Sequence, residues 1–114
     1  MVHTAGRALE QIKTLGVDCW ALSEAKKIAL DSVKDLPVKV FLFGSRARGN
    51  NRPFSDIDIA LEHENGALSP ALLALLRERF EESLIPFMVD LVDLGVASEV
   101  FNNAVKEEAI QWTS

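Results

Sequence analysis

The 114-residue chain contains one cysteine and no tyrosine. A lone Cys19 cannot close an internal disulfide, so the chain is no disulfide scaffold and suits a reducing compartment. No uncharged run approaches the ~18 apolar residues that a membrane-crossing helix needs. The opening residues, Met1-Val2-His3-Thr4-Ala5-Gly6-Arg7, lack the apolar stretch of a secretory signal. These absences predict a cytoplasmic protein that does not enter membranes. Basic charge is also scarce, since 12 Lys and Arg stand against 17 Asp and Glu for a net charge of -5. Proteins that grip duplex DNA through its phosphates carry a basic face, so duplex DNA is not an expected partner. A nucleotide ligand stays open, because a small site can be locally cationic or hold metal ions.

The rest of the composition is ordinary for a globular domain, with 48% hydrophobic and 25% charged residues. A chain of 12.6 kDa buries about two-thirds of its surface on folding, enough for a single core. No repeat, low-complexity tract or interdomain linker divides it.

Periodicity sets out alternating helices and strands. Ala5, Ala8, Leu9, Ile12 and Leu15 share one side of a short helix that Gly16 should end. Ser23 is placed to cap a second helix, with Ala25, Ile28, Ala29, Val33 and Leu36 inward and Pro37 stopping it. Residues 38–43 (VKVFLF) read as a buried strand. Gly44 to Ser55 is a polar loop with room for a short helical turn, and residues 56–62 alternate as a second strand. Ser69-Pro70 opens a helix with Leu72, Leu73, Leu76, Phe80 and Leu84 inward, ending near Ser83. Residues 87–92 form a third strand. Gly95 and Ser98 precede a last helix with Val100, Phe101, Ala104 and Val105 inward, and residues 109–112 form a short terminal strand. Cys19 is expected as a packed thiol, Trp20 and Trp112 in the core or at its edge, and His3 and His63 at the surface. The class is α/β or α+β, a small sheet covered by helices.

Unusual residues gather at strand ends. Asp56 and Asp58 lie two apart and so project to the same side of their strand, while Ile57 and Ile59 enter the core. Asp90 interrupts an otherwise apolar strand and reaches the same face if the strands are neighbours. Two like charges ~4 Å apart repel by roughly 4 kcal/mol at an effective dielectric near 20, so three close carboxylates call for cations. With no His or Cys in the set, these are hard ligands suited to Mg²⁺ or Mn²⁺. Two such ions, held between carboxylates and phosphates, serve phosphoryl and nucleotidyl transfer. Asp93, three residues beyond Asp90, is the other candidate for the third acid. It follows the strand on the opposite pleat and could cap the last helix, so Asp90 is preferred. The loop fits the same chemistry. Gly44 permits close approach of a ligand, Ser45 offers a hydroxyl, successive N–H groups after it can cradle an anion, and Arg46 and Arg48 lie where a phosphate would sit. Gly49 turns the loop away. The GxxxxGK[ST] pattern of a P-loop is absent.

Gly44-Ser45, ten intervening residues and Asp56-x-Asp58 resemble the signature of minimal nucleotidyltransferases, the MNT group of the DNA polymerase β-like superfamily. The stretch GSRARGNNRPFSDIDIAL fits throughout, and MVDLVD resembles the later strand that supplies a third acid. The resemblance implies a nucleotidyltransferase fold, a small mixed sheet flanked by helices, over residues 23–114, with residues 1–22 as a helical extension. It implies Asp56, Asp58 and Asp90 as catalytic metal ligands, with Asp90 also helping to deprotonate an acceptor hydroxyl. Gly44 and Ser45, assisted by Arg46 and Arg48, would hold the β- and γ-phosphates of ATP, with AMP transferred and pyrophosphate released. It further implies a helical HEPN-type partner, an antitoxin role and modification of a tyrosine on that partner, which suits a chain with no tyrosine of its own. Homo-oligomerisation is left open. The competing functions are a non-catalytic antitoxin that neutralises by contact, and a small-molecule adenylyltransferase. The absence of an attached acceptor domain counts against the second.

Overall fold

The computed structural model describes residues 2–114, with side chains described from residue 16 onward. Helix α1 runs Val2–Ser32, followed by strand β1 (Val38–Phe43), the short helix α2 (Ser45–Arg48), β2 (Ile57–His63), α3 (Pro70–Glu82), β3 (Val89–Asp93), α4 (Glu99–Glu108) and β4 (Ile110–Gln111). The sheet order is β3-β2-β1-β4. β1 is antiparallel to β2 and to β4, whereas β2 and β3 run parallel. The sheet is therefore mixed.

Two predicted helices are one. Neither Gly16 nor Ser23 interrupts α1. A single glycine inside a helix costs about 1 kcal/mol, and Ala21, Ala25 and Ala29, spaced four apart and fully buried, carry one packing stripe past Ser23. The apolar stripe predicted over residues 5–15 lies outside the described side chains, as does His3. The helix stops before the predicted Leu36, which is 47% exposed. Asp35 turns the chain there with a left-handed φ of 64°.

Helix ends elsewhere follow their local chemistry. The Ser69 hydroxyl accepts from the Leu72 N–H and Pro70 occupies the first turn. The Ser98 hydroxyl accepts from the Phe101 N–H at the start of α4. Ser98, and not Asp93, thus caps α4. Asp93 is instead the last residue of β3, buried, with its carboxylate accepting from the Leu68 and Gly95 N–H groups at 2.9 and 2.8 Å.

The sheet separates two apolar clusters. Val38, Val40, Leu42, Ile57, Ile59 and Leu61 pack on one side with residues of α1 and α3. Phe41 and Ala60 pack on the other side with Leu94 and Val105. On α4 only Val105 is buried. Val100 is 81% exposed and Ala104 is exposed, contrary to the predicted stripe. The second cluster is small, so one helical position suffices to cover it. Leu84, beyond the end of α3, and Cys19 are also exposed. Trp20 is 44% exposed, while Trp112 packs against the larger cluster.

Gly95 follows β3 where the backbone runs against the Gly66 carbonyl, and a Cβ at Gly95 would overlap that oxygen. Gly95→Ala should cost about 1–3 kcal/mol through this overpacking, read as a lower denaturant midpoint with an unchanged m-value.

Candidate active site

The burial of alternate residues aims the carboxylates. Ile57, Ile59 and Leu61 are fully buried on the α1/α3 side. Asp58 and Ala60 must therefore leave the opposite face, where Ala60 joins the cluster under α4. The parallel register sets Asp58 beside Asp90 and Ala60 beside Val92, so Asp90 shares that face. Asp56 directly precedes β2 with the same parity. Asp56 and Asp90 are exposed and Asp58 is half-buried.

Asp58 and Asp90 are thus register partners, with Asp56 within electrostatic reach. Burial pushes the Asp58 carboxyl above the ordinary range, and the charges of Asp90 and then Asp56 push it further, against the opposing pull of Arg48 and Arg46. The expected three-acid cluster is looser than a preformed cage: among the described residues no three His, Cys, Asp or Glu side chains close into a metal-holding group. Asp93, engaged with Leu68 and Gly95, takes no part.

The loop after β1 lies against these acids. Phe43 is the register partner of Asp58, which brings Gly44 to the carboxylate. Gly44 has φ 76° and ψ -158°, a region that is essentially glycine-only. A Cβ there would collide with Asp58 Oδ2. The Gly44 carbonyl accepts from the Ala47 and Arg48 N–H groups at 3.1 Å each, winding Ser45–Arg48 into α2. Gly49 closes it in the left-handed region.

The two arginines separate. Arg46, expected on a ligand phosphate, has a side chain only 1% exposed. Its Nε and Nη2 donate to the Ser55 carbonyl at 3.1 and 2.8 Å, and Nη1 donates to Asp18 Oδ1 at 3.1 Å. Its guanidinium also stacks 4.5 Å from the centre of the Phe87 ring. Arg46 therefore ties the loop that precedes Asp56 to α1 and to the segment entering β3. Phe54, left-handed at φ 64°, tilts its ring on Phe87 at 5.9 Å and braces the same loop. Arg48 stays at the surface, where its Nη1 donates to both carboxylate oxygens of Glu108 at 3.0 and 2.9 Å. Glu108 Oε1 also accepts from the Gly44 N–H at 3.3 Å. Hydrogen bonds from Arg48 hold the Glu108 carboxyl below its ordinary range, helped by the Arg48 charge and the Gly44 N–H and opposed by desolvation.

Asp18 and Glu108 were missed in the sequence. Asp18 carries no local signal, being 28 positions from Arg46. Glu108 offered one: a carboxylate in the last turn of a helix opposes the helix dipole, so its presence there calls for a cation.

The raised pKa of Asp58 means that the folded state holds this proton more tightly than the unfolded chain. Stability from that group is present at low pH and is lost as pH rises through the folded pKa. Without divalent cations, Asp58→Asn should therefore melt above the wild type at neutral pH, and the gap should narrow on acidification. Paired thermal melts at neutral and acidic pH in EDTA check both signs.

Residues 23–111 match the sequence family described as "Polymerase beta, Nucleotidyltransferase". A probable protein adenylyltransferase MntA of Haemophilus influenzae is 37% identical over 68 residues, 60% of this chain and 59% of that protein. The match thus spans less than two-thirds of that relative. A toxin–antitoxin crystal structure with AMP-PNP is 28% identical with a TM-score of 0.63, covering 78% of this chain and 73% of the other. A complex of tri-AMPylated Shewanella oneidensis HEPN toxin with MNT antitoxin gives 27% identity and a TM-score of 0.59, covering 83% and 71%. With the signature residues at one end of a mixed sheet and the family match covering most of its length, the chain belongs to the polymerase beta nucleotidyltransferase family.

Proposed function

We propose that this chain transfers AMP from ATP, with Mg²⁺, to a hydroxyl group on a partner protein, and that the acceptor is a tyrosine of a HEPN-type toxin. The observation that carries this reading is the register pairing of Asp58 with Asp90, beside a glycine whose conformation admits no side chain. Support for the acceptor comes from the resemblance to a protein adenylyltransferase and to a complex that holds a tri-AMPylated HEPN toxin.

The residues fit divalent ions by their chemistry. The acids are hard oxygen donors, and the upward push on Asp58 from Asp90 and Asp56 is a like-charge conflict that a divalent cation relieves. Mg²⁺ is commonly bound by one or two carboxylates together with substrate phosphates, so a looser arrangement than a cage suits a site completed by ATP. Asp56, Asp58 and Asp90 would hold the ions, which supply charge neutralisation at the triphosphate and activation of the attacking oxygen.

The chain's own residues do the rest. The Gly44 N–H, the Ser45 hydroxyl and Arg48 hold the β- and γ-phosphates, and Arg46 positions the loop without touching them. Asp90, exposed at the sheet's outer strand, accepts the proton of the acceptor hydroxyl. The acceptor oxygen forms a bond to the α-phosphorus as the bond from that phosphorus to the β-bridging oxygen breaks, and pyrophosphate leaves. A tyrosyl acceptor is not supplied by these 114 residues, which contain no tyrosine.

The test is incubation of the chain with labelled ATP, Mg²⁺ and the product of the neighbouring gene. Label should appear on a tyrosine of that product. Asp56→Asn and Asp58→Asn should each lower transfer by at least about a hundredfold, the scale on which removing an electrostatic stabiliser acts, while leaving the fold intact by circular dichroism. A partner left unlabelled by active protein would refute the acceptor assignment. Neutralisation of the toxin by the Asn variants, with AMP transfer gone, would instead establish a protein that works by contact.

A further inference from the structure

Glu108 takes no part in the transfer step, yet it holds two of the donors that the step employs. Its carboxylate accepts from Arg48 Nη1 through both oxygens and from the Gly44 N–H through Oε1. The backbone explains why it is there. Leu42 pairs with Ile110 and Phe41 with Gln111 in the antiparallel ladder of β1 and β4. Continuing that register two residues toward Gly44 brings Glu108 alongside it. The ladder stops there, and the Glu108 side chain takes the Gly44 N–H that a further strand residue would have taken.

Carboxylate and phosphate oxygens are both anionic acceptors that seek the same charged and backbone donors. We propose that the Glu108 carboxylate occupies the place of a non-transferred phosphate and is exchanged for it when the triphosphate binds. Glu108 is then an internal competitor that lowers affinity for ligands carrying β- and γ-phosphates and leaves the affinity for AMP untouched. This rests on the nucleotidyltransferase reading of the site. Exchange is sterically easy, because the Arg48 and Glu108 side chains are 46% and 31% exposed and a displaced Glu108 can turn into solvent while β4 keeps its backbone in register. The last turn of α4 gives the carboxylate no dipolar support, so Arg48 and Gly44 are what hold it. An incoming phosphate therefore competes for donors that are already in place.

Calorimetric titration of the full chain with the α,β-methylene analogue of ATP and Mg²⁺, alongside AMP and Mg²⁺, tests this without turnover. Glu108→Gln should bind the triphosphate analogue about three- to tenfold more tightly than the wild type, the scale of an exposed charge-assisted contact removed. Its affinity for AMP should be unchanged. Thermal melts establish that the variant is folded, and Glu108→Ala gives the same comparison if Glu108→Gln is not. Equal or weaker triphosphate binding by the folded variant overturns the proposal and makes Glu108 a structural support for Arg48. An equal gain for AMP also overturns it, since general relief of negative charge would then account for the effect. If neither wild type nor variant takes up the triphosphate, the nucleotidyltransferase reading itself fails and this inference falls with it.

Discussion

Two carboxylates placed side by side on adjacent strands repel, and this fold keeps Asp58 and Asp90 there because the alternate residues of the same strands are buried. Ile57, Ile59 and Leu61 are fully buried on the other face of β2, each contributing about 1.5–3 kcal/mol of burial. A slip of one residue would move the acids onto the core face and take the isoleucines off it. The register is therefore held by apolar burial, and the charged face is carried along with it. A site assembled in this way is under electrostatic load before any ligand arrives: burial first, and then the charges of Asp90 and Asp56, push the Asp58 carboxyl upward.

The same logic places the loop. Because Phe43 sits opposite Asp58, the residue after β1 has no room for a side chain, and glycine is the only residue that fits both the space and the φ of 76°. Fixing the far end of the loop, ten residues on, needs a long-range tie. Arg46 provides it from within the loop by reaching Ser55, Asp18 and Phe87 at once. An arginine buried in this way must be paired and hydrogen-bonded, and three of its N–H groups have partners. Loss of the Asp18 carboxylate would leave the buried Arg46 charge without its ion-pair partner.

What the sequence made legible was whatever depends on neighbours in the chain. Alternation in residues 56–62 revealed which side chains face together, Ser69-Pro70 and Ser98 marked helix starts, and the spacing from Gly44 to Asp58 pointed to a known family. What depends on distant partners was not legible. Gly16 and Ser23 carry ordinary stop and start signals, yet α1 is continuous through both, and the Ala21/Ala25/Ala29 stripe packs into the larger core cluster across Ser23. Arg46 and Arg48 are indistinguishable in a polar loop, and only tertiary structure separates a buried tie from a surface cation. α4 has apolar residues at helical spacing, but the sheet face beneath it is short, which leaves Val100 in solvent.

Arg48 is where these constraints meet. It lies close enough to Asp58 to oppose the upward displacement of that carboxyl, and it is hydrogen-bonded to Glu108. Any anion added at the loop must share it. Asp58 lies within the paired length of β2, whereas Glu108 is the last residue of α4 and reaches the loop by its side chain alone. When charge accumulates at this end of the sheet, Glu108 is thus the anion free to leave, and the acids of β2 and β3 are the ones compelled to stay.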